Sequence, residues 1–262
     1  MMYLGECVTD KTNVYTVGED YRRKEEQGIV RRIFRKNFNH AEIIGEELCS
    51  IRNLSCPCFF LVADSMDSNN KIVPYTLAKK KGLDVKLGSH DFSKEGFIYF
   101  TINSISSIEG KNNFERLLSI TPTAKNREEL AKEICELFAL DVYMGQADRF
   151  SNNVMFSFNL SNGEIHLASI FDFQYSLKEG YTSKEMLYDN QIYPFTDIYD
   201  FQDFIVIYPE FREMLKSYLD VDLVSAAKAG YEKRRLIIPD SKLKYYSDFD
   251  TERKKLIKKI IL

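Results

Sequence analysis

The chain has 262 residues, 44% of them hydrophobic and 29% charged, with a formal net charge of −3 and no tryptophan. That balance is ordinary for a soluble globular protein of one large domain or two modest ones, and its acidity argues against a nucleic-acid surface as the main function. No apolar run reaches the ~18–20 residues of a membrane span, and the N-terminus lacks a charged-then-apolar leader, so a cytoplasmic protein without membrane contact is expected, unless a secretion system reads some other signal.

Short strand candidates come first, at Met1–Val8, Asn13–Val17 and Gly28–Phe34. A helix is then expected from Asn39. Asn39 and Glu42 have capping-box spacing, and Ile44, Leu48 and Ile51 recur at i, i+4 and i+7. Pro57 is expected to stop it. Cys58–Ala63 and Lys71–Leu77 read as two more strands around a polar turn at 67–70. The charged stretch Lys79–Lys81 with Gly82 marks the expected change from a sheet-based half, about 1–82, to a helical half, about 83–262. Strands, one helix, more strands and then helices is an α+β order compatible with two lobes forming one catalytic unit.

The second half opens with another capping-box pair, Asn126 and Glu129, followed by the apolar stripe Leu130, Ile134, Leu137 and Phe138, which ends before Gly145. Asp141 falls in the last turns of that helix. The helix dipole disfavours a carboxylate there, so Asp141 is expected to bind a local donor, without a chemical role. Further helices are expected at Asp197–Ile207, Pro209–Leu219 and Val221–Ala229, with a last one near Phe249–Leu262. In the last, Leu256, Ile257, Ile260 and Ile261 alternate with lysines, a pattern better read as a terminal helix docking on the core than as a membrane-surface helix. Lys233, Arg234 and Arg235 read as a small solvated basic patch. The five cysteines (Cys7, Cys49, Cys56, Cys58 and Cys135) have no disulfide-framework spacing, and His40, His90 and His166 are too scattered to complete a zinc site with Cys56 and Cys58. Buried free thiols are expected.

Chemistry concentrates in residues 141–175, DVYMGQADRFSNNVMFSFNLSNGEIHLASIFDFQY. Asp148 is followed five residues later by Asn153, and Asp172 closes a short apolar run. A carboxylate, a side-chain amide and a second carboxylate in that order suit Mg-assisted phosphoryl transfer. One Asp orients the attacking hydroxyl, while the amide and the other Asp hold metal ions against the triphosphate charge. Val154–Phe158 and Ile165–Phe171, separated by a turn containing Ser161-Asn162-Gly163, read as a hairpin that would bring Asn153 and Asp172 to one end.

At these residues the chain resembles the HipA-like and CtkA-like bacterial Ser/Thr kinases, in the phosphoinositide-kinase-like branch of the protein-kinase fold. "GQADRFSNN…IFDF" is similar to that family's catalytic loop and the metal-binding segment after it. The resemblance implies ATP and Mg2+ as cofactors, Asp148 as the catalytic Asp, and Asn153 and Asp172 as metal ligands. Phe150 stands where the family usually has a His that props the loop. Further upstream, "AEIIGEELCSIRNLSCP" resembles the family helix whose Glu pairs a nucleotide-binding Lys, which aligns Glu42 with that Glu. The strand before it carries Arg31 and Arg32 at the Lys place, and Arg is no conservative substitute for Lys. Lys24 and Lys36 are nearby alternatives. Gly5 and Gly18 are isolated, so no phosphate-covering loop is readable. The segment 174–193 would correspond to an activation segment.

The favoured reading is a two-lobed, ATP- and Mg-dependent protein serine/threonine kinase, capable of autophosphorylation, whose partner is a protein bearing a Ser/Thr acceptor. Phe150 and the missing strand Lys leave a pseudokinase acting as a binding module as the alternative. A small-molecule or phosphoinositide kinase is the second alternative. Gln146 counts against the antibiotic-kinase type, which usually carries His two residues before the Asp.

Overall fold

The computed structural model describes residues 2–4, 15–17, 22–25, 28–35, 40–54, 56, 58–66, 72–74, 85–92, 96–101, 124–146, 149, 154–170, 173, 175–178, 198–233 and 236–262. Ten strands and six α-helices lie among them. Strands β1 (Met2–Leu4) and β2 (Tyr15–Val17) form an antiparallel pair. Next come β3 (Arg22–Glu25), which sequence patterning misses, and β4 (Gly28–Arg35). Helix α1 (His40–Ile51) follows, then β5 (Cys58–Met66), β6 (Ile72–Pro74) and β7 (Val85–Phe92). An antiparallel sheet of five strands takes the order β3-β4-β7-β5-β6. Its central strand β7 comes after position 82, where the patterning turns helical. The alternation Val85, Leu87, Ser89 is too polar at its end to stand out as a strand, and pairing on both sides decides it.

A second sheet has three strands. β8 (Phe97–Thr101) pairs β9 (Val154–Asn159), which pairs β10 (Ile165–Ile170), all antiparallel. The β9–β10 hairpin is the expected one, its turn closed by Gly163 at φ 76°. A register shift between Leu167 and Ser169 bulges β10 near its exit.

Between these strands runs α2 (Arg127–Met144), ended by Gly145 in the left-handed conformation at φ 61°. The expected apolar stripe is buried, but it understates the helix. Every residue from Ile134 to Met144 is buried, Glu136 and Asp141 included. From Ile134 onward α2 is therefore enclosed on all sides, with its buried charged residues matched by partners. Arg52 donates to both Glu136 oxygens, at 2.6 and 3.0 Å, and the Tyr218 hydroxyl donates to one of them at 2.9 Å.

Two expected caps resolve differently. α1 does not run to Pro57. Asn53, at φ 57°, turns the chain into the left-handed region, and Leu54 N–H returns to Cys49 O at 2.8 Å, closing the helix end. Asn126 makes no side-chain cap. Its amide instead brackets the backbone of Ile165, donating to the carbonyl and accepting from the N–H, both at 2.9 Å. Two backbone bonds to a neighbouring strand outcompete a single local cap. Asn39 lies outside the described residues.

The C-terminal helices are α3 (Ile198–Ile207), α4 (Pro209–Ser217), α5 (Leu223–Lys233) and α6 (Asp240–Ile261), with a 3-10 turn at Tyr218–Asp220 after α4. α6 starts nine residues before the expected Phe249, because Pro239 supplies the extended residue that launches it. Its buried face is Tyr246, Arg253, Leu256, Ile257 and Ile260, so it docks on the core. Lys233 is exposed, as expected, and its ammonium also bridges to Glu46 and Glu47 on α1, while Arg234 and Arg235 lie outside the described residues. Cys49 and Cys135 are buried free thiols, as expected, and Cys56 is a free, half-buried one. No helix among the described residues is long and apolar enough to cross a membrane.

Candidate functional site

The site is best built from Phe173, the residue after Asp172. Its N–H donates to Glu42 Oε2 at 3.1 Å, a bond between residues 131 apart in sequence. Glu42 is fully buried in the first turn of α1. One turn further along, Gly45 provides the seat for the Phe173 ring: a Cβ at that position would lie 2.4 Å from Cδ2. No side chain other than hydrogen fits there.

The ring's second neighbour is Arg149, the residue after Asp148. Its guanidinium carbon lies 5.2 Å from the Phe173 centroid. The same guanidinium donates to both Asp141 oxygens, Nε to Oδ2 at 2.9 Å and Nη2 to Oδ1 at 2.7 Å, and neither side chain has any exposed surface. Asp141 thus finds the local donor its position called for. Burial pushes its carboxyl up from the usual range, and the guanidinium opposes that shift.

Backbone bonds complete the arrangement. Gln146 N–H returns to Asp141 O at 2.9 Å, and Leu177 N–H donates to Met144 O at 3.0 Å, so the segment after Phe173 folds back on the end of α2. Leu177 sits at φ 53°, a conformation that a branched side chain adopts only when its surroundings hold it. The hairpin contributes its open end, where Ile170 lies opposite Val154. Three chain segments consequently meet around Phe173: α1, the loop leaving α2, and the strand exit of β10.

Asp148, Asn153 and Asp172 themselves, with Phe150, lie outside the described residues. Arg31 and Arg32 occupy consecutive positions on β4, opposite Asp91 and His90 of β7, and their side chains lie outside the described residues too. Lys24 is on β3 with the same limit, and Lys36 is not described. Of the candidate residues, the structure brings Glu42 to the backbone immediately after Asp172.

Arg149 and Phe173 fall within the catalytic-loop resemblance, and Gly45 within the helix resemblance, without a role being read for any of them. Arg149 had one available signal: a carboxylate stranded at a helix C-terminus eight residues upstream requires a cation. Gly45 had another, a glycine in the middle of a helix at a cost of about 1 kcal/mol relative to alanine, which implies close packing.

Glu129, Glu133 and His166 place ligand-type atoms within 4.8 Å of one another. Their bonding is that of a brace. Glu133 joins His166 Nδ1 at 2.7 Å and accepts from Leu167 N–H at 2.8 Å, tying α2 to β10.

No protein-family model and no curated protein matches the chain. Solved structures do. HipA of the Shewanella oneidensis MR-1 toxin–antitoxin system, in its complex with HipB and operator DNA, is similar with a TM-score of 0.58 at 12% identity, over 88% of this chain and 58% of that one. This chain thus spans little more than half the length of HipA. The Helicobacter pylori proinflammatory kinase CtkA is similar with a TM-score of 0.51 at 14% identity, over 91% of this chain and 88% of that one. The fold on which α1, α2 and the β9–β10 hairpin meet around Phe173 is accordingly kinase-like, the fold of HipA and CtkA.

Proposed function

We propose that the chain is a two-lobed, ATP- and Mg-dependent phosphotransferase that acts on protein Ser/Thr hydroxyls, its own included. The observation that carries this reading is the Glu42–Phe173 bond, which joins the helix of the nucleotide-side Glu to the residue after Asp172. The stacking of Arg149, the residue after Asp148, on the same ring supports it. Kinase-like neighbours at low identity support the fold, and the name of CtkA supports the reaction class by analogy.

Asp148, Asn153 and Asp172 are two carboxylates and an amide, all oxygen donors, which suits a hard divalent cation. When bound, Mg-ATP supplies the transferable γ-phosphoryl group and the positive charge that offsets its oxygens. In this reading Asp148 accepts a hydrogen bond from the acceptor hydroxyl and orients it. Asn153 and Asp172 hold the metal side. Arg31 or Arg32 faces the phosphates. Glu42 and Arg149 act on the backbone and ring of Phe173, and so steady the segments that carry both aspartates.

The test is incubation of purified protein with Mg2+ and γ-labelled ATP, alone and with a cell lysate. Label should appear on the protein or on lysate proteins, and Asp148→Ala should abolish it while nucleotide binding survives, because positioning with weak base assistance contributes ~10²–10⁴-fold in rate. Asp172→Asn should greatly weaken Mg-ATP binding in a folded protein. Wild type that binds ATP and labels nothing refutes the enzyme and leaves the pseudokinase. Phe150→His is then the first change to make, since a re-propped loop that regains activity would locate the defect in geometry.

A further inference from the structure

Helix α1 is held from two sides. Glu42 and Gly45 turn one stripe of it to Phe173. A second stripe, carrying His40, Ile43, Glu46 and Glu47, meets α5. Residues three or four apart share a helix face, so each set is contiguous.

Three contacts of different kinds fall within about one turn of α5. A Cβ at Gly230 would lie 3.0 Å from the Ile43 carbonyl oxygen and 3.1 Å from Glu47 Cγ, so the two helices approach backbone to backbone. The Tyr231 hydroxyl is hydrogen-bonded to His40 Nδ1, and the two rings stack with centroids 5.3 Å apart and 6° between planes. Lys233 Nζ donates to Glu46 Oε1 and, at 3.3 Å, to Glu47 Oε1. Glu46 is only 6% exposed, so this bridge is partly shielded from water. Phosphoryl transfer itself calls for none of these contacts, which join residues 186 to 191 apart in sequence.

We propose that Gly230–Lys233 latch α1 from the C-terminal part of the chain, and that Lys233 is a positioning residue: by holding Glu46 and Glu47 it sets how fully Glu42 occupies the Phe173 amide. The functional weight of this rests on the reading of the Phe173 neighbourhood as the phosphotransfer site, but the coupling is structural and measurable without activity. α1 is 12 residues long and hydrogen-bonded along its axis, so it moves as a body. A displacement on α5 reaches Glu42 within one or two turns.

The experiment is native-state hydrogen exchange of the Phe173 amide, followed by NMR in the full chain. Wild type is compared with Lys233→Ala, Lys233→Arg, Gly230→Ala and the charge-reversed pair Glu46→Lys/Lys233→Glu. Lys233→Ala and Gly230→Ala should each speed Phe173 exchange about two- to fivefold, with the amides of Leu137 and Phe138 inside α2 as the unmoved control. Lys233→Arg should stay near wild type, and the reversed pair should recover more protection than Lys233→Ala retains. In the active enzyme kcat should fall in step with the loss of protection, while KM for the protein acceptor stays constant. Unchanged Phe173 exchange in both single variants overturns the latch. If a single variant also loses protection in α2, the reversed pair decides: recovery at Phe173 supports the latch and no recovery overturns it. Absence of transfer in wild type counts against the proposed function alone and leaves the exchange result standing.

Discussion

Replacing Arg149 with methionine removes the donor pair that holds a carboxylate with no exposed surface, and the cost can be worked out. Met fills much of the volume of the Arg stem, so packing changes little. What changes is charge: Asp141, in the last turn of α2, is left buried with its two oxygens deprived of bonds at 2.9 and 2.7 Å. Breaking a buried pair from one side costs about 3–5 kcal/mol, and the lost stacking on Phe173 adds up to about 1 kcal/mol. Against a total stability of about 5–15 kcal/mol this is a large fraction, and it should lower Tm by roughly 10 °C in a chain of this size. The loss should depend on pH with a definite sign. Without Arg149, the burial that already pushes the Asp141 carboxyl up acts unopposed. The folded state then takes up a proton where the unfolded state does not, and the deficit shrinks as pH falls through the raised value toward the ordinary carboxylate range. The double variant Arg149→Met/Asp141→Leu, which removes both charges, should recover most of the loss. Urea denaturation at several pH values, with all four members of the cycle, reads each of these. A single variant within about 1 kcal/mol of wild type, or a deficit that grows in acid, would refute the placement of this pair in a water-free interior.

Other expectations follow from particular contacts. Gly45→Ala should cost about 1–3 kcal/mol, because its Cβ must displace the Phe173 ring from 2.4 Å; chemical denaturation measures it, and a neutral result would mean the ring is not seated there. Asn126→Ala should cost about 1–3 kcal/mol by stripping both backbone groups of Ile165 of their partner, far more than loss of an exposed cap. Two histidines should bend the stability–pH curve in opposite directions. For His166, burial lowers the pKa but hydrogen bonding and charge from Glu133, with help from Glu129 and Glu164, raise it above the ordinary 6.5. Its contribution is full below that value and lost as pH rises through the raised one. For His40, burial and then Lys242 lower the pKa, so its contribution is present above 6.5 and lost as pH falls through the lowered one. His166→Gln should flatten the alkaline side of the curve and His40→Gln the acidic side, as read by urea midpoints across pH.

Much of the scaffold was legible in the chain itself. The 3.6-residue repeat of Leu130, Ile134, Leu137 and Phe138 locates α2, Gly145 its end, and Ser161-Asn162-Gly163 the hairpin, because these are local consequences of side-chain spacing and of a residue free to take positive φ. The order Asp148, Asn153, Asp172 is likewise a property of the sequence, and it is what points to phosphoryl transfer. Tertiary structure decided everything that joins distant residues. No local pattern tells β7 to enter the middle of a sheet, since its partners β4 and β5 lie far off in sequence. None turns Asn126 away from its own helix toward Ile165, as competition between a cap and two strand bonds is settled only when the strand arrives. The burial of Glu136 and Asp141 depends on Arg52, Tyr218 and Arg149 being delivered to them by folding, and a charged residue reads as surface until its partner is known. Glu42 reads in sequence as a capping carboxylate and, by resemblance, as the nucleotide-side Glu; its bond to the Phe173 N–H, 131 residues away, exists because packing excludes water and brings a buried N–H to a buried carboxylate.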